Sequence, residues 1–302
     1  MNIRFLRAFL AVARHANISR AAQELNLAQS SVSDQIRALE DEAGAKLFDR
    51  GNAGLVPTQA GHALMQYAEE IVALEREAKA TLSAMSGSAP ITVGCLPALA
   101  APRLAPFLSS SVSDSHSEPF RLQVDGTPGL IQKLLQGVID VAFCFPTAEL
   151  DERLVGRAII RERLALIAPA AHGGNGPPAQ PPSSQNFIAT PIGCAYRRIF
   201  ECALVDAEVR APKIVAEVES IQAAITLVSA GKGLSIVPRV VVEEDLRTGN
   251  VRELNWPSAT QYADLMMVWR RRSVQPPGLR HLITSAEAHF SALDQALSAL
   301  DV

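Results

Sequence analysis

Twenty residues near the start, Ile18 to Arg37 (ISRAAQELNLAQSSVSDQIR), leave the chain few ways to fold there. Ala21 and Ala22 are small enough to let two helices meet closely. Asn26 and its neighbours supply a short polar turn. Ser19, just ahead of Ala21, stands where it would cap the first helix. Beyond the turn, Val32, Ile36 and Leu39 recur at helical spacing, so a second helix has one apolar face. Its other face carries the short polar side chains Gln29, Ser30, Ser31, Ser33 and Gln35, with a cation at Arg37. The pattern is a helix-turn-helix. The start of the second helix in such a motif enters the major groove, where side chains reach base edges while hydroxyls and arginines hold phosphates.

The flanks extend this unit. Ile3, Leu6, Phe9, Leu10 and Ala13 mark the apolar face of an earlier helix, and Gly44 stops the second helix of the motif. Leu47 and Phe48 precede a turn-rich stretch, Arg50 to Gly54, and the strand-like Leu55-Val56. Residues 1–58 therefore read as an all-α winged helix-turn-helix domain. Thr58 caps a long helical segment running to about Met85. Leu64, Ile71, Ala78 and Met85 fall seven apart, with Ala68 and Leu82 near a second seam interrupted by Glu75. Such a seam suits a coiled-coil dimer, although one amphipathic helix packed on its own domain shows a similar pattern. Residues 59–90 are then a linker helix and a hinge, which ends in Ser86-Gly87-Ser88-Ala89-Pro90.

The pattern changes beyond the hinge. Ile91–Gly94, Arg121–Val124 and Val138–Phe145 read as strands, with helical stretches between them. Further strands are expected near Leu164–Ala168, Phe187–Ala189, Ile214–Val218, Leu234–Val237 and Asp264–Trp269. Strands alternating with helices argue for parallel α/β sheets. The stretch from Gly173 to Pro182 is loop-forming. With 302 residues, 48% of them hydrophobic, the chain can fill two cores.

Order and spacing along the first sixty residues resemble the LysR family of transcriptional regulators. The resemblance rests on Phe9–Ala13, Ala21–Leu25, Ala28–Ser33, Gln35-Ile36, Leu39-Glu40, Leu47–Arg50 and Thr58–Gly61. It implies a DNA-binding regulator whose contacts are Ser19, Arg20, Gln29, Ser30, Ser31, Ser33, Gln35, Arg37 and Arg50. The implied partners are the double-stranded DNA of a promoter operator, a small-molecule effector, RNA polymerase and further copies of the chain, as a homodimer or homotetramer. Two departures bear on affinity. Asp34 stands in the recognition helix where many relatives carry Arg or Lys, and the wing sequence Gly51-Asn52-Ala53 lacks an additional arginine. Met1 to Tyr67 holds seven basic residues against six acidic ones, and the whole chain has a formal charge of −3. Phosphate attraction drives most non-specific binding, so weak and salt-sensitive DNA binding is expected.

Residues 91–302 resemble, more loosely, the effector domain of the same family. Leu134–Ala142 and Leu227–Pro238 carry that likeness. The implied fold is two α/β lobes like those of periplasmic binding proteins. Lobe 1 would hold about 91–163 and 267–302, lobe 2 about 164–266, with the ligand in the cleft between them. The effector-binding residues so implied are Pro97, Ala98, Leu99, Thr127, Phe145, Cys194, Tyr196, Arg198 and Ser220, with Arg197 a second candidate cation. Thr127 before Pro128, and Ser220, look like helix caps. Helix N-termini suit a carboxylate, which makes a carboxylate effector one candidate. Pro97-Ala98-Leu99 departs from the Ser or Thr of many relatives and leaves open a bulkier or more hydrophobic ligand, or a different binding mode. Gly231-Lys232-Gly233 ends a helix and does not match a phosphate loop.

Other classes fit less well. Cys194 and Cys202, near Arg197 and Arg198, leave a thiol-based redox sensor open as an alternative. No nucleophile motif, paired carboxylates, CxxC or HExxH is present, so no enzyme, metal or cofactor is expected. Arg4, Arg7 and Arg14 interrupt any signal-like apolar run, and no stretch is apolar enough for a membrane span. A cytoplasmic protein without membrane contact is expected. A stand-alone, transport-type binding protein would explain residues 91–302 but not the first ninety.

Overall fold

The computed structural model describes residues 1–51, 54–85, 90–112, 119–146, 149–170, 185–255, 261–271 and 275–300. The chain divides into two compact units, one N-terminal and one C-terminal.

In the N-terminal unit, α1 (Ile3–His15) starts at Asn2, whose side chain accepts the Arg4 N–H. Leu6, Phe9, Leu10 and Val12 form its buried face. The next helix, α2 (Ile18–Leu25), is capped by Asn17 and not by Ser19. Asn17 has the extended backbone a cap needs, and its Oδ1 accepts the Arg20 N–H at 3.1 Å. Ser19 therefore lies inside the first turn, exposed. Asn26 closes α2 at φ 54°, a left-handed conformation that asparagine tolerates, with its N–H on the Ala22 and Gln23 carbonyls. Three residues later α3 (Gln29–Ala43) begins. Ala21 and Ala22 are buried, as are Val32, Ile36 and Leu39. The strands β1 (Phe48–Gly51) and β2 (Gly54–Pro57) pair antiparallel and form the wing. Asn52 and Ala53, at the expected turn, lie outside the described residues.

Thr58 caps α4 (Gln59–Met85). Its Oγ accepts the Gly61 N–H at 3.0 Å and donates to the Lys46 carbonyl at 2.7 Å. The seam read from sequence divides between two faces. Ala68 is buried in the core around α1, and Leu64 packs against it, alongside Met65 and Val72. Ile71 and Leu82 are exposed, and Tyr67 and Leu74 join them. The first turns of α4 thus belong to the head, although the periodicity suggested a separate linker from residue 59.

The C-terminal unit runs β3 (Ile91–Cys95), α5 (Pro97–Leu99), a π-helical turn (Ala100–Leu104), α6 (Ala105–Val112), β4 (Phe120–Val124), α7 (Thr127–Leu135) and β5 (Val141–Cys144). A long strand, β6 (Leu154–Pro169), then leads to β7 (Asn186–Ala189), α8 (Ala195–Asp206), β8 (Lys213–Glu217), α9 (Ile221–Ser229), β9 (Ser235–Pro238), α10 (Arg239–Thr248) and β10 (Val251–Leu254). The chain returns through β11 (Tyr262–Arg270) and ends in α11 (Pro277–Leu300). The expected hinge at Ser86–Ala89 and the loop at Gly173–Pro182 lie outside the described residues.

The sheets are mixed, not parallel throughout. β3 pairs in parallel with β4 and β5, and β7 with β8. β11 is antiparallel to β5 and β6, while β9 and β10 are antiparallel to β6. The reason is β6, which serves two sheets. Its first part, through Arg163, pairs with β11, and from Leu164 onward it pairs with β9 and β10. The outgoing crossing between lobes therefore falls at Arg163/Leu164. The returning chain joins the first lobe's pairing already at Tyr262, five residues before the position suggested by sequence. Gly233, at φ 154°, backs directly onto the Asn186 carbonyl, an approach that a side chain would block.

Candidate DNA interface and ligand cavity

The head presents one polar surface. Gln29 and Ser30 at the start of α3 are exposed, and Ser31, Ser33 and Gln35 are half-buried. Ala28 precedes them with extended backbone and makes no side-chain capping bond. The first N–H groups of α3 thus have no side-chain cap, and the positive end of the helix dipole faces outward with them. Arg37 is exposed but paired, its Nη1 3.3 Å from an Asp34 oxygen. Arg20 at the start of α2 and Arg50 on β1 are exposed and have no ion pair among the described residues.

Arg4 on α1 is likewise exposed without an ion pair among the described residues, while four further cations of the head are engaged internally. Arg14 and His15 both hold Glu24, at 2.5 Å and 2.7 Å. Lys46 binds Glu40 at 2.7 Å, and the Leu47 N–H donates to the same carboxylate at 2.9 Å. Burial alone would raise the Glu40 pKa, but the Lys46 ammonium and the Leu47 and Phe48 N–H groups hold it below the usual carboxylate range. Arg7 reaches Glu75 on α4 at 2.5 Å. The near-zero balance read from sequence is thus largely internal pairing, which leaves Arg4, Arg20 and Arg50 exposed without an ion pair among the described residues.

Within the C-terminal unit, the ends of β3, β4, β5 and β7 and the starts of α5, α7, α8 and α9 surround a cavity of about 820 Å³. Seven of the sequence-derived residues line it: Pro97, Ala98, Thr127, Phe145, Cys194, Tyr196 and Ser220. Two do not. Leu99 is fully buried in the core beneath α5. Arg198 is exposed and off the wall, because it follows Tyr196 by two residues, about 200° around the helix. Arg197 is occupied elsewhere: Nη1 donates to the Thr190 carbonyl and to Glu217, Nε to Glu201.

Thr127 is not a cap. The Leu130 N–H bonds to the Gly126 carbonyl, the Gly126 N–H donates to Asp125, and the Thr127 hydroxyl donates to the Phe145 carbonyl at 3.4 Å. Ser220 is the cap of α9, its Oγ accepting the Ala223 N–H. Thr190, Pro191, Gln222 and Val241 also line the cavity and were not named from sequence. Thr190 and Pro191 follow β7, so extending the strand-end rule to that strand would have found them. Gln222 and Val241 gave no such signal. The Tyr196 hydroxyl and Thr190 Oγ are buried on this wall without a hydrogen-bond partner. Burial pushes the Tyr196 phenol well above its ordinary value, helped by nearby Cys194, Glu162 and Cys95, so it remains protonated.

The cysteines speak against thiol sensing. Cys194 begins α8 and Cys202 lies eight residues on, about 12 Å along the axis, too far for a disulfide without unwinding the helix. Cys95 and Cys144 are buried, and burial pushes both thiols to about 12. Among the described residues, no three His, Cys, Asp or Glu side chains cluster to hold a metal, and no helix is long and apolar enough to cross a membrane.

A winged helix-turn-helix in one unit and a two-lobed α/β fold around a cavity in the other define a DNA-binding regulator with a ligand-sensing domain. Comparison with known proteins gives the family. Residues 3–62 match the model of the bacterial regulatory helix-turn-helix protein, lysR family, and residues 86–291 match the LysR substrate binding domain. The chain belongs to the LysR family of transcriptional regulators. It is 31% identical over 301 residues to the uncharacterized HTH-type transcriptional regulator YusT of Bacillus subtilis (strain 168), covering 98% of each chain. The HTH-type transcriptional regulator GltR of the same strain is 29% identical over 291 residues, 96% of this chain and 97% of the relative. Among solved structures, full-length CbnR complexed with its target DNA shares the fold at a TM-score of 0.63 and 22% identity, covering 95% of this chain and 99% of that one. Full-length OxyR from Pseudomonas aeruginosa does so at a TM-score of 0.62 and 19% identity, covering 95% and 98%.

Proposed function

We propose that this regulator reads promoter DNA with the exposed start of α3, anchors it with Arg20 and Arg50, and changes its DNA affinity when a small molecule occupies the cavity of its C-terminal unit. The observation that carries the first part is the uncapped start of α3 with Gln29 and Ser30 exposed on it. Hydrogen-bonding side chains there suit base edges, and free N–H groups suit a phosphate. Of the exposed arginines without an ion pair, Arg20 lies on α2, the first helix of the motif, and Arg50 on the wing, as phosphate anchors on either side of a recognition helix would.

The structure of CbnR on its target DNA, a protein of the same fold, supports a DNA-bound state for this chain. Self-association through the exposed face of α4 would place two heads on one operator, adding the affinity that a nearly neutral head lacks. Its site of action is then the cytoplasm, with RNA polymerase as its downstream partner. The cavity serves binding and not catalysis in this reading, because its relatives are transcriptional regulators.

Fluorescence anisotropy with the duplex upstream of the gene tests the assignment. Arg20→Ala and Arg50→Ala should each weaken specific and non-specific duplexes alike and lower the salt slope by about one. Gln29→Ala should weaken the specific duplex by about tenfold and leave the non-specific one unchanged. Equal losses on both duplexes for Gln29→Ala would remove it from base readout.

A further inference from the structure

The chemistry of the cavity wall restricts what it can hold. Among the described residues that line it there is no Lys or Arg. Of the cations considered from sequence, Arg198 is off the wall and Arg197 is bound to Glu201, Glu217 and the Thr190 carbonyl. Two carboxylates do line it. Lys133 neutralises Asp125 at 2.8 Å, while Glu219 is exposed at the rim with no ion pair among the described residues. An anion entering here would lose its hydration without gaining a countercharge, and Glu219 would repel it.

The deep wall is different. Tyr196 is 4% exposed and Thr190 2%, and both hydroxyls lack a partner. A buried hydroxyl without a hydrogen bond is costly, so two on one cavity wall mark groups that await a ligand. Tyr196 also lies in the first turn of α8, which Cys194 begins without a side-chain cap. Tyr196 and Thr190 line the same cavity, and two hydroxyl donors there favour an oxygen acceptor. Around it the wall is apolar, with Leu96, Pro97, Ala98, Phe145 and Ile221.

We infer that the cavity takes an uncharged, largely apolar small molecule bearing a hydroxyl or carbonyl oxygen, which Tyr196 and Thr190 hold by hydrogen bonds. This rests on the effector reading above and narrows it: the ligand is not the carboxylate that helix N-termini alone would suggest. Ser220 already takes one first-turn N–H of α9, and the Asp125 carboxylate already stands at the start of α7 on the Gly126 N–H, so both helix starts offer an anion less than bare ones would.

The test uses the full-length protein and a panel of matched carboxylates, neutral alcohols and amides, and amines, for example benzoate, benzyl alcohol, benzamide and benzylamine. Melting temperature and affinity for the upstream duplex are both read. Stabilising compounds should fall in the neutral class, and Tyr196→Phe should weaken their binding by about tenfold. Stabilisation by carboxylates, or neutral compounds that bind Tyr196→Phe unchanged, would overturn the inference.

The ligand-free Thr190→Val/Tyr196→Phe variant decides the case in which nothing in the panel binds. Removing two unpartnered hydroxyls should leave the melting temperature equal or higher, whereas a fall of several degrees would show them to be structural and end the proposal. A neutral compound that stabilises the protein but leaves DNA affinity unchanged would support the ligand class and count against the regulatory reading alone.

Discussion

Single residues settle how the cores are held. Arg103, in the π-helical turn behind the cavity, is 9% exposed and grips Glu162 of β6, 1% exposed, through two hydrogen bonds of 2.8 Å and 3.0 Å. The pair ties the segment that carries Ala101 and Pro102 of the cavity wall to the strand that crosses between lobes. Glu162→Ala leaves a buried guanidinium without its partner and should cost about 3–5 kcal/mol in urea unfolding, far more than removal of the exposed partner in Arg37–Asp34. In the head, the Lys46 ammonium and the Leu47 and Phe48 N–H groups hold the folded pKa of Glu40 below its ordinary value. Its stabilising contribution is therefore complete above that value and lost as pH falls through the lower folded one. Between pH 6 and 3, Glu40→Gln should flatten the fall in head stability measured by circular dichroism. An unchanged profile would show that Glu24 and Glu75, also held low, carry the effect.

Elements decide recognition and assembly. On α3, Asp34 is exposed and places a negative charge on the face proposed to meet DNA, partly cancelling Arg37. Asp34→Asn should raise affinity for any duplex about threefold to tenfold and steepen its salt dependence, since Arg37 is freed for phosphate. Unaltered affinity would place Asp34 away from the backbone. On α4, Tyr67, Ile71, Leu74 and Leu82 are 65%, 37%, 57% and 67% exposed, an apolar stripe on a helix whose other face fills the head core. Leu74→Asp should lower the oligomeric state seen by light scattering without lowering the melting temperature of the head. A fully oligomeric variant would assign self-association to another surface.

At the scale of the molecule, the helix-turn-helix was readable from sequence because every relation that builds it lies within a few residues. Ala21, Ala22, Val32, Ile36 and Leu39 sit on periodic faces, and helical period needs no distant partner. The family signatures extended that reading to the two-lobed domain. The strand ends around the cavity followed from the same alternation, which is why Pro97, Thr127, Phe145, Tyr196 and Ser220 converge there. Side-chain direction did not follow. Arg198 and Leu99 are neighbours in sequence of lining residues, yet rotation along α8 and burial under α5 turn them away.

The amino-acid order by itself determined the head, the polar face of α3, the long helix after it and the succession of strands and helices beyond. These depend on local periodicity, turn chemistry and capping, energies that neighbours along the chain supply. Only the tertiary structure decided that β6 serves two sheets, that Asn17 and not Ser19 caps α2, which face of α4 remains open, and which hydroxyls are left without partners. Each of these is a competition among groups far apart in sequence for the same hydrogen bonds or the same buried volume, and that competition is resolved only when the chain is packed.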